Sequence, residues 1–185
     1  MIGFISYLVN GISLGSVYAL IALGYTMVYG IAKMLNFAHG DVIMIGAYVA
    51  FTAVSGMGMP PVVGVLLSVV ACTVLGVLIE RIAYKPLRKA SKLAVLITAI
   101  GVSYFLQNVA LLIYGANTKS FTSVVTIPAL KLMDDKLVIS GETIVTVVAC
   151  LIIMAGLMTF MKYSKSGRAM LAVSEDSGAA QLMGV

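Results

Sequence analysis

The chain has 185 residues, 61% of them hydrophobic and 10% charged, with a formal net charge of +5. Soluble domains are charged at roughly a quarter of their positions, so these figures and a mean hydropathy of +1.09 exclude that class. The positive balance is not a nucleic-acid footprint, because the basic residues gather where membrane topology places them.

No charge occurs from Phe4 to Ala32 or from Val42 to Ile79. Runs this long exceed the ~18 apolar residues that read as a spanning helix, and no segment alternates as a β-barrel strand does. The expected fold is therefore an all-α integral membrane protein, a polytopic helix bundle. The first run, Phe4 to Ile31, lacks a basic leader and is too long for a signal peptide, so it reads as a retained span. At ~1.5 Å per residue it exceeds a ~30 Å hydrocarbon core, so tilt, an interfacial start near Asn10 or a break must absorb the excess.

Between the first and second spans lies KMLNFAHGD, residues Lys33 to Asp41. Ionisable groups beside long apolar runs are costly unless they reach water, pair or face a protein interior. Asn36, Phe37, His39 and Asp41 are therefore candidates for lining or gating a pathway. The alternative is a cytoplasmic turn in which Asp41 caps a helix or pairs with Lys33.

The second span, about Gly40 to Val54, is short. The turn-rich SGMGMPP follows, and its Pro60 and Pro61 suit the first turn of a third span from Val62 to about Ile79. Gly64, Ser68, Cys72 and Gly76 form a small stripe down that span, and Gly11, Gly15 and Ala19 repeat the device in the first. Small stripes let helices approach closely in lipid, so packing is the expected role. Cys72 and Cys150 read as small packing residues, since no metal-ligand or CxxC spacing is present.

The fourth span runs from Leu93 to Tyr114. Gln107 and Asn108, one or two turns from its end, either hydrogen-bond across helices or line a cavity. The segment from Gly115 to Glu142 reads as a small structured loop carrying the acidic pair Asp134 and Asp135. The fifth span covers about Thr143 to Met161. Nine basic residues (Lys33; Arg81, Lys85, Arg88, Lys89, Lys92; Lys162, Lys165, Arg168) face one side and three (Lys119, Lys131, Lys136) the other. That bias expects the first side in the cytoplasm and the N-terminus outside, with Tyr84, Tyr114 and Tyr163 as interfacial aromatics. No nucleophile–base set, paired carboxylates, phosphate loop or metal spacing appears, so no catalytic residue is assigned.

After the fifth span, residues 162–185 read as a cytoplasmic coupling region with one helix from about Arg168, capped near Gly184. Ala179, Ala180, three residues and Gly184 resemble the coupling motif of bacterial ABC importer permeases, whose pattern is Glu-Ala-Ala, three residues, Gly. Gly178 stands at the Glu position here, leaving Glu175 or Asp176 as candidate substitutes. The text GISLGSVYALIALGYTMVYGIAKMLNFAHGDVIMIGAYVA, with ERIAYKPLR and GRAM, resembles the H-type permease subunits of branched-chain amino-acid ABC importers. LNFAHGD is its most specific piece.

The resemblance covers essentially the whole chain, as a single partial permease domain over residues 1–185; such permeases are longer, so an N-terminal fragment is expected. It implies a multi-pass protein of the bacterial inner membrane, acting with a second permease subunit, two cytoplasmic ATPases and a periplasmic binding protein. ATP and Mg would sit on the partners, with no cofactor in this chain. Arg168, Glu175, Ala179, Ala180 and Gly184 would meet the ATPase. A permease of the same superfamily for urea, amides or sugars is the alternative, with a membrane scaffold behind it.

Overall fold

The computed structural model describes residues 2–33, 35–87, 90–120, 130–132 and 137–184. Seven α-helices are present among them: α1 (Ile2–Ala32), α2 (His39–Phe51), α3 (Pro61–Ile79), α4 (Lys92–Tyr114), α5 (Gly141–Tyr163), α6 (Lys165–Glu175) and α7 (Ser177–Leu182). A three-residue antiparallel hairpin, β1 (Leu130–Leu132) with β2 (Leu137–Ile139), lies before α5 and pairs Lys131 with Val138. The hairpin lies in the segment from Gly115 to Glu142 that the sequence reads as a small structured loop; Asp134 and Asp135 lie outside the described residues.

Among the described residues, four helical stretches are long and apolar enough to cross a membrane: Gly3–Gly30, Pro61–Leu87, Leu93–Tyr114 and Gly141–Tyr163. The expected second span is α2, which has only 13 residues and continues through a π-helical turn, Thr52–Gly56. It falls short of the other four because polar residues occupy its first turn and the SGMGMPP turn ends it.

The chain divides into two compact units, Met1–Lys33 with Val125–Val185, and Met34–Val124. In the first unit α1 packs along α5 and touches α6. The Cys150 thiol donates to the Ser16 carbonyl at 3.3 Å, so this cysteine holds α5 to α1. Helix α1 runs unbroken for 31 residues, so its excess length is not absorbed by an internal break. The break comes immediately after it, where Lys33 adopts φ 52°, a left-handed conformation uncommon outside glycine. Gly11 and Gly15 have no neighbouring atom within 4 Å of a Cβ placed on them.

In the second unit α2 lies against both α3 and α4. Pro61 occupies the start of α3, where its missing N–H removes a donor the helix does not need. The small stripe of α3 meets α2: the Ser68 hydroxyl donates to the Gly46 carbonyl at 2.8 Å, and the Cys72 thiol to the Val42 carbonyl at 3.4 Å. A Cβ on Gly64 would lie 2.6 Å from Val54 Cγ2, and one on Gly46 would lie 2.6 Å from Cys72 Sγ and 3.0 Å from Ser68 Oγ. Gly76 has open space instead.

This close crossing yields a specific expectation. Gly46→Ala should destabilise the full-length protein by about 1–3 kcal/mol, the usual penalty for overpacking, read as a lower unfolding temperature in detergent. Adding Cys72→Ala removes the sulfur in the way and should restore most of the loss. A double variant as unstable as the single one would contradict this reading.

At the far end of the chain the sequence predicts one helix from Arg168, and two are found. Helix α6 ends at Glu175; Asp176, at φ −147° and ψ 106°, leaves the helical region and caps α7. Its carboxylate oxygen accepts from the Gly178 and Ala179 amides at 2.8 and 3.1 Å. Asp176 is thus committed to capping, which offsets two orphan donors of a new helix. Gly184, at φ 82°, follows α7 in the left-handed conformation that favours glycine after a helix end.

Candidate functional site

The polar stretch between α1 and α2 is organised by Asn36. Its side-chain oxygen accepts from the Ala38 amide at 3.1 Å, an Asx turn, and from the Tyr84 hydroxyl at 2.8 Å. Tyr84 belongs to the π turn Glu80–Tyr84 that extends α3, so its phenol anchors the segment to that helix. Ala38 is fully buried, Phe37 is exposed and His39 is half-buried.

In the first turn of α2, Asp41 is only 8% exposed. Its carboxylate accepts from the Gln107 side-chain amide on α4 at 3.0 Å, and the same amide nitrogen reaches Ser103 Oγ at 3.2 Å. Gln107 thus bridges helices. Asn108 does not: its amide donates to the Tyr104 carbonyl of its own helix at 2.7 Å. Both neighbouring amides are exposed on α4, and only that of Gln107 reaches another helix.

These bonds fix the level of the segment along its neighbours. Gln107 lies seven residues from the Tyr114 end of the apolar stretch Leu93–Tyr114, about 10 Å at ~1.5 Å per residue, and about 21 Å from the other end. On the opposite flank Val42 meets Cys72, also well inside the stretch Pro61–Leu87. Asn36 meets Tyr84, near the Leu87 end. The segment from Asn36 to Asp41 therefore runs from the π turn that follows α3, at Asn36, to an interior level of α4, at Asp41. A carboxylate at that level is tolerated because it is hydrogen-bonded.

Above Asp41, α2 and α4 run in parallel. Tyr48 stacks on Tyr114 with ring centroids 4.1 Å apart, at the same separation of 66 residues as Asp41 and Gln107. The Tyr114 and Thr52 hydroxyls lie 3.2 Å apart. Tyr84 and Tyr114 read as interfacial aromatics from sequence; their hydroxyls prove to have partners within the unit. The sequence signal for Tyr48 is its spacing of seven residues from Asp41, which puts both on one face of α2.

The residues that the sequence offers for ATPase contact divide in the structure. Arg168 and Glu175 are exposed on α6 and Ala179 on α7, whereas Ala180 is only 5% exposed and turned into the chain. Beyond them Leu182 and Met183 stand out from the end of α7, 89% and 84% exposed.

Residues 7–185 match the family model described as the branched-chain amino acid transport system permease component. The chain is 41% identical to the high-affinity branched-chain amino acid transport system permease protein BraD of Pseudomonas aeruginosa, across 98% of this chain and 62% of the relative. It is 38% identical, with the same coverage of each, to the corresponding LivH permease proteins of Escherichia coli and Salmonella typhimurium. The chain thus spans a little over three-fifths of the length of these relatives. No solved structure gives a significant match.

Proposed function

The chain belongs to the branched-chain amino acid transport system permease family, and from that premise we propose that it forms part of the translocation pathway of an ATP-driven importer for branched-chain amino acids. The carrying observation is the buried Asp41 carboxylate, held by the exposed Gln107 amide at an interior level of α4. Burying a carboxylate there is costly, and transporters place such groups where interrupted helices line a substrate path. Asn36, Phe37, His39, Asp41 and Gln107 would line or gate that path. Asn108, bonded to its own helix, would contribute only its exposed surface.

The chain's part in the cycle is mechanical. Two ATPase subunits with ATP and Mg, a second permease subunit and a periplasmic binding protein would complete the assembly in the bacterial inner membrane. Closure of the ATPases would press on α6 and α7. Helix α6 packs on both α1 and α5, so a push there reaches two spanning helices at once. Arg168, Glu175 and Ala179 offer exposed contacts, with Leu182 and Met183 as the apolar part of the surface.

The test uses the full-length protein co-expressed with its partners and reconstituted in vesicles. Wild type should take up leucine, isoleucine or valine in an ATP-dependent manner. Leu182→Glu with Met183→Glu should abolish ATPase co-purification and uptake while leaving the permease folded, because both side chains are exposed. Uptake of urea, amides or sugars in place of the aliphatic amino acids would overturn the substrate. Intact co-purification and uptake in the double variant would overturn the docking surface.

A further inference from the structure

The second unit contains an open cleft of about 630 Å³ at the Tyr114 end of α4. Ligand sites commonly occupy clefts of ~300–1,000 Å³ with apolar walls and a few placed polar groups. Its walls include Met44, Ala47, Tyr48 and Phe51 of α2 and Leu111 of α4. Gly115, at φ 76°, ends α4 and turns the chain so that residues 115–119 form the remaining side. Among the described residues lining it, Lys119 alone carries a charge.

The polar pair already described lies on the same helix faces as residues that line the cleft. Asp41, Met44, Tyr48 and Phe51 follow one face of α2 at helical spacing, and Gln107 and Leu111 follow one face of α4. The Asp41–Gln107 bond therefore lies one turn from the wall residues Met44 and Leu111 and outside the lining itself. The lining is thus apolar and aromatic surface with one cation, Lys119, set against it.

We infer that this cleft receives the aliphatic amino acid, with the Lys119 ammonium holding the substrate carboxylate and Met44, Phe51 and Leu111 enclosing its side chain. An aliphatic α-amino acid carries its carboxylate beside an apolar side chain, which matches a single cation set against apolar walls. Neutral amides and sugars lack the carboxylate that Lys119 would hold. The inference rests on the permease reading above and adds to it the residues that touch the substrate.

Ala47 is exposed on the cleft wall and can carry a probe. In the assembled full-length transporter, Ala47→Cys is introduced with Cys72→Ala and Cys150→Ala, and the introduced thiol is labelled with a membrane-impermeant maleimide. Leucine should slow labelling, roughly tenfold at a concentration ten times its Kd by simple mass action. Leucinol, which lacks the carboxylate, should protect far less, and Lys119→Glu should remove the protection by leucine. Should Ala47→Cys fail to assemble, Leu111→Cys reports from the facing wall.

Unchanged labelling in saturating leucine, with wild type still transporting leucine, would overturn the cleft assignment and leave the permease reading standing. A thiol unreactive with or without leucine would mean that protein fills the cleft, which also overturns the assignment. Absence of leucine uptake by wild type would instead defeat the permease reading itself.

Discussion

Gln107→Leu should lower the thermal stability of the full-length permease by several degrees and nearly abolish leucine uptake. Asp41 is 8% exposed and its carboxylate accepts the Gln107 amide at 3.0 Å. A hydrogen bond between helices in a membrane contributes only ~1–2 kcal/mol, so loss of the bond alone would be mild. The greater cost lies in the carboxylate left behind. A buried group without its partner costs about 1–3 kcal/mol, and more when charged. Asp41→Leu combined with Gln107→Leu removes both polar groups and should recover most of the stability without recovering transport. That separation distinguishes a pathway group from a structural strut, since a strut would regain both. Asn108→Leu is the matched control: Asn108 is exposed like Gln107 but its amide is bonded within α4, so stability should change little. Equal losses from Gln107→Leu and Asn108→Leu, in unfolding temperature and in uptake, would refute a special role for the pair.

The same pair shows where sequence reasoning stops. Four of the five expected spans are long apolar helices, because ~20 uninterrupted apolar residues leave few other structures available in lipid. The polar stretch before α2 is legible as energetically expensive, and Gln107 as an amide within a span. Nothing in one dimension indicates that residues 66 positions apart meet, so the level of Asp41 along α4 becomes visible only through the bond. The assignment of charges to loops also hides depth, since a polar residue held by a neighbouring helix looks identical to one in water.

Two further features differ in how far they can be read. The break at Asp176 is present in the text: an Asp followed by Ser-Gly-Ala-Ala is a helix start, and helix propensity averaged over the segment obscures it. The α3 stripe reads from sequence as close packing against an unspecified partner. That partner is α2, and its identity depends on where α2 lies, which is a tertiary fact. Gly11 and Gly15 carry the same kind of stripe, yet a Cβ placed on either meets no atom of a neighbouring element within 4 Å, so spacing alone does not distinguish an occupied stripe from an open one.

Gly167 gives the sharpest test of that distinction. It is buried at the corner where α5 turns into α6, and its amide donates to the Ser164 hydroxyl at 2.8 Å, capping α6. A Cβ added there would collide with the Phe160 carbonyl oxygen and approach Met161 Cα to 2.6 Å and its carbonyl oxygen to 2.9 Å. These are backbone atoms of α5 that cannot rotate aside, so α6 itself must move. Overpacking costs about 1–3 kcal/mol or more, and displacement of α6 also weakens a cap that contributes ~1 kcal/mol. Gly167→Ala should therefore reduce folded yield and unfolding temperature, and should weaken ATPase association by misplacing the α6–α7 surface. Gly11→Ala makes the same chemical change in an open part of α1, where alanine favours the helix by about 0.5–1 kcal/mol over glycine. It should be neutral or stabilising. The comparison is read by thermal unfolding and ATPase co-purification of the two variants side by side. Should Gly167→Ala match Gly11→Ala in both, the α5–α6 corner would not be the rigid link that carries motion from α6 into the membrane.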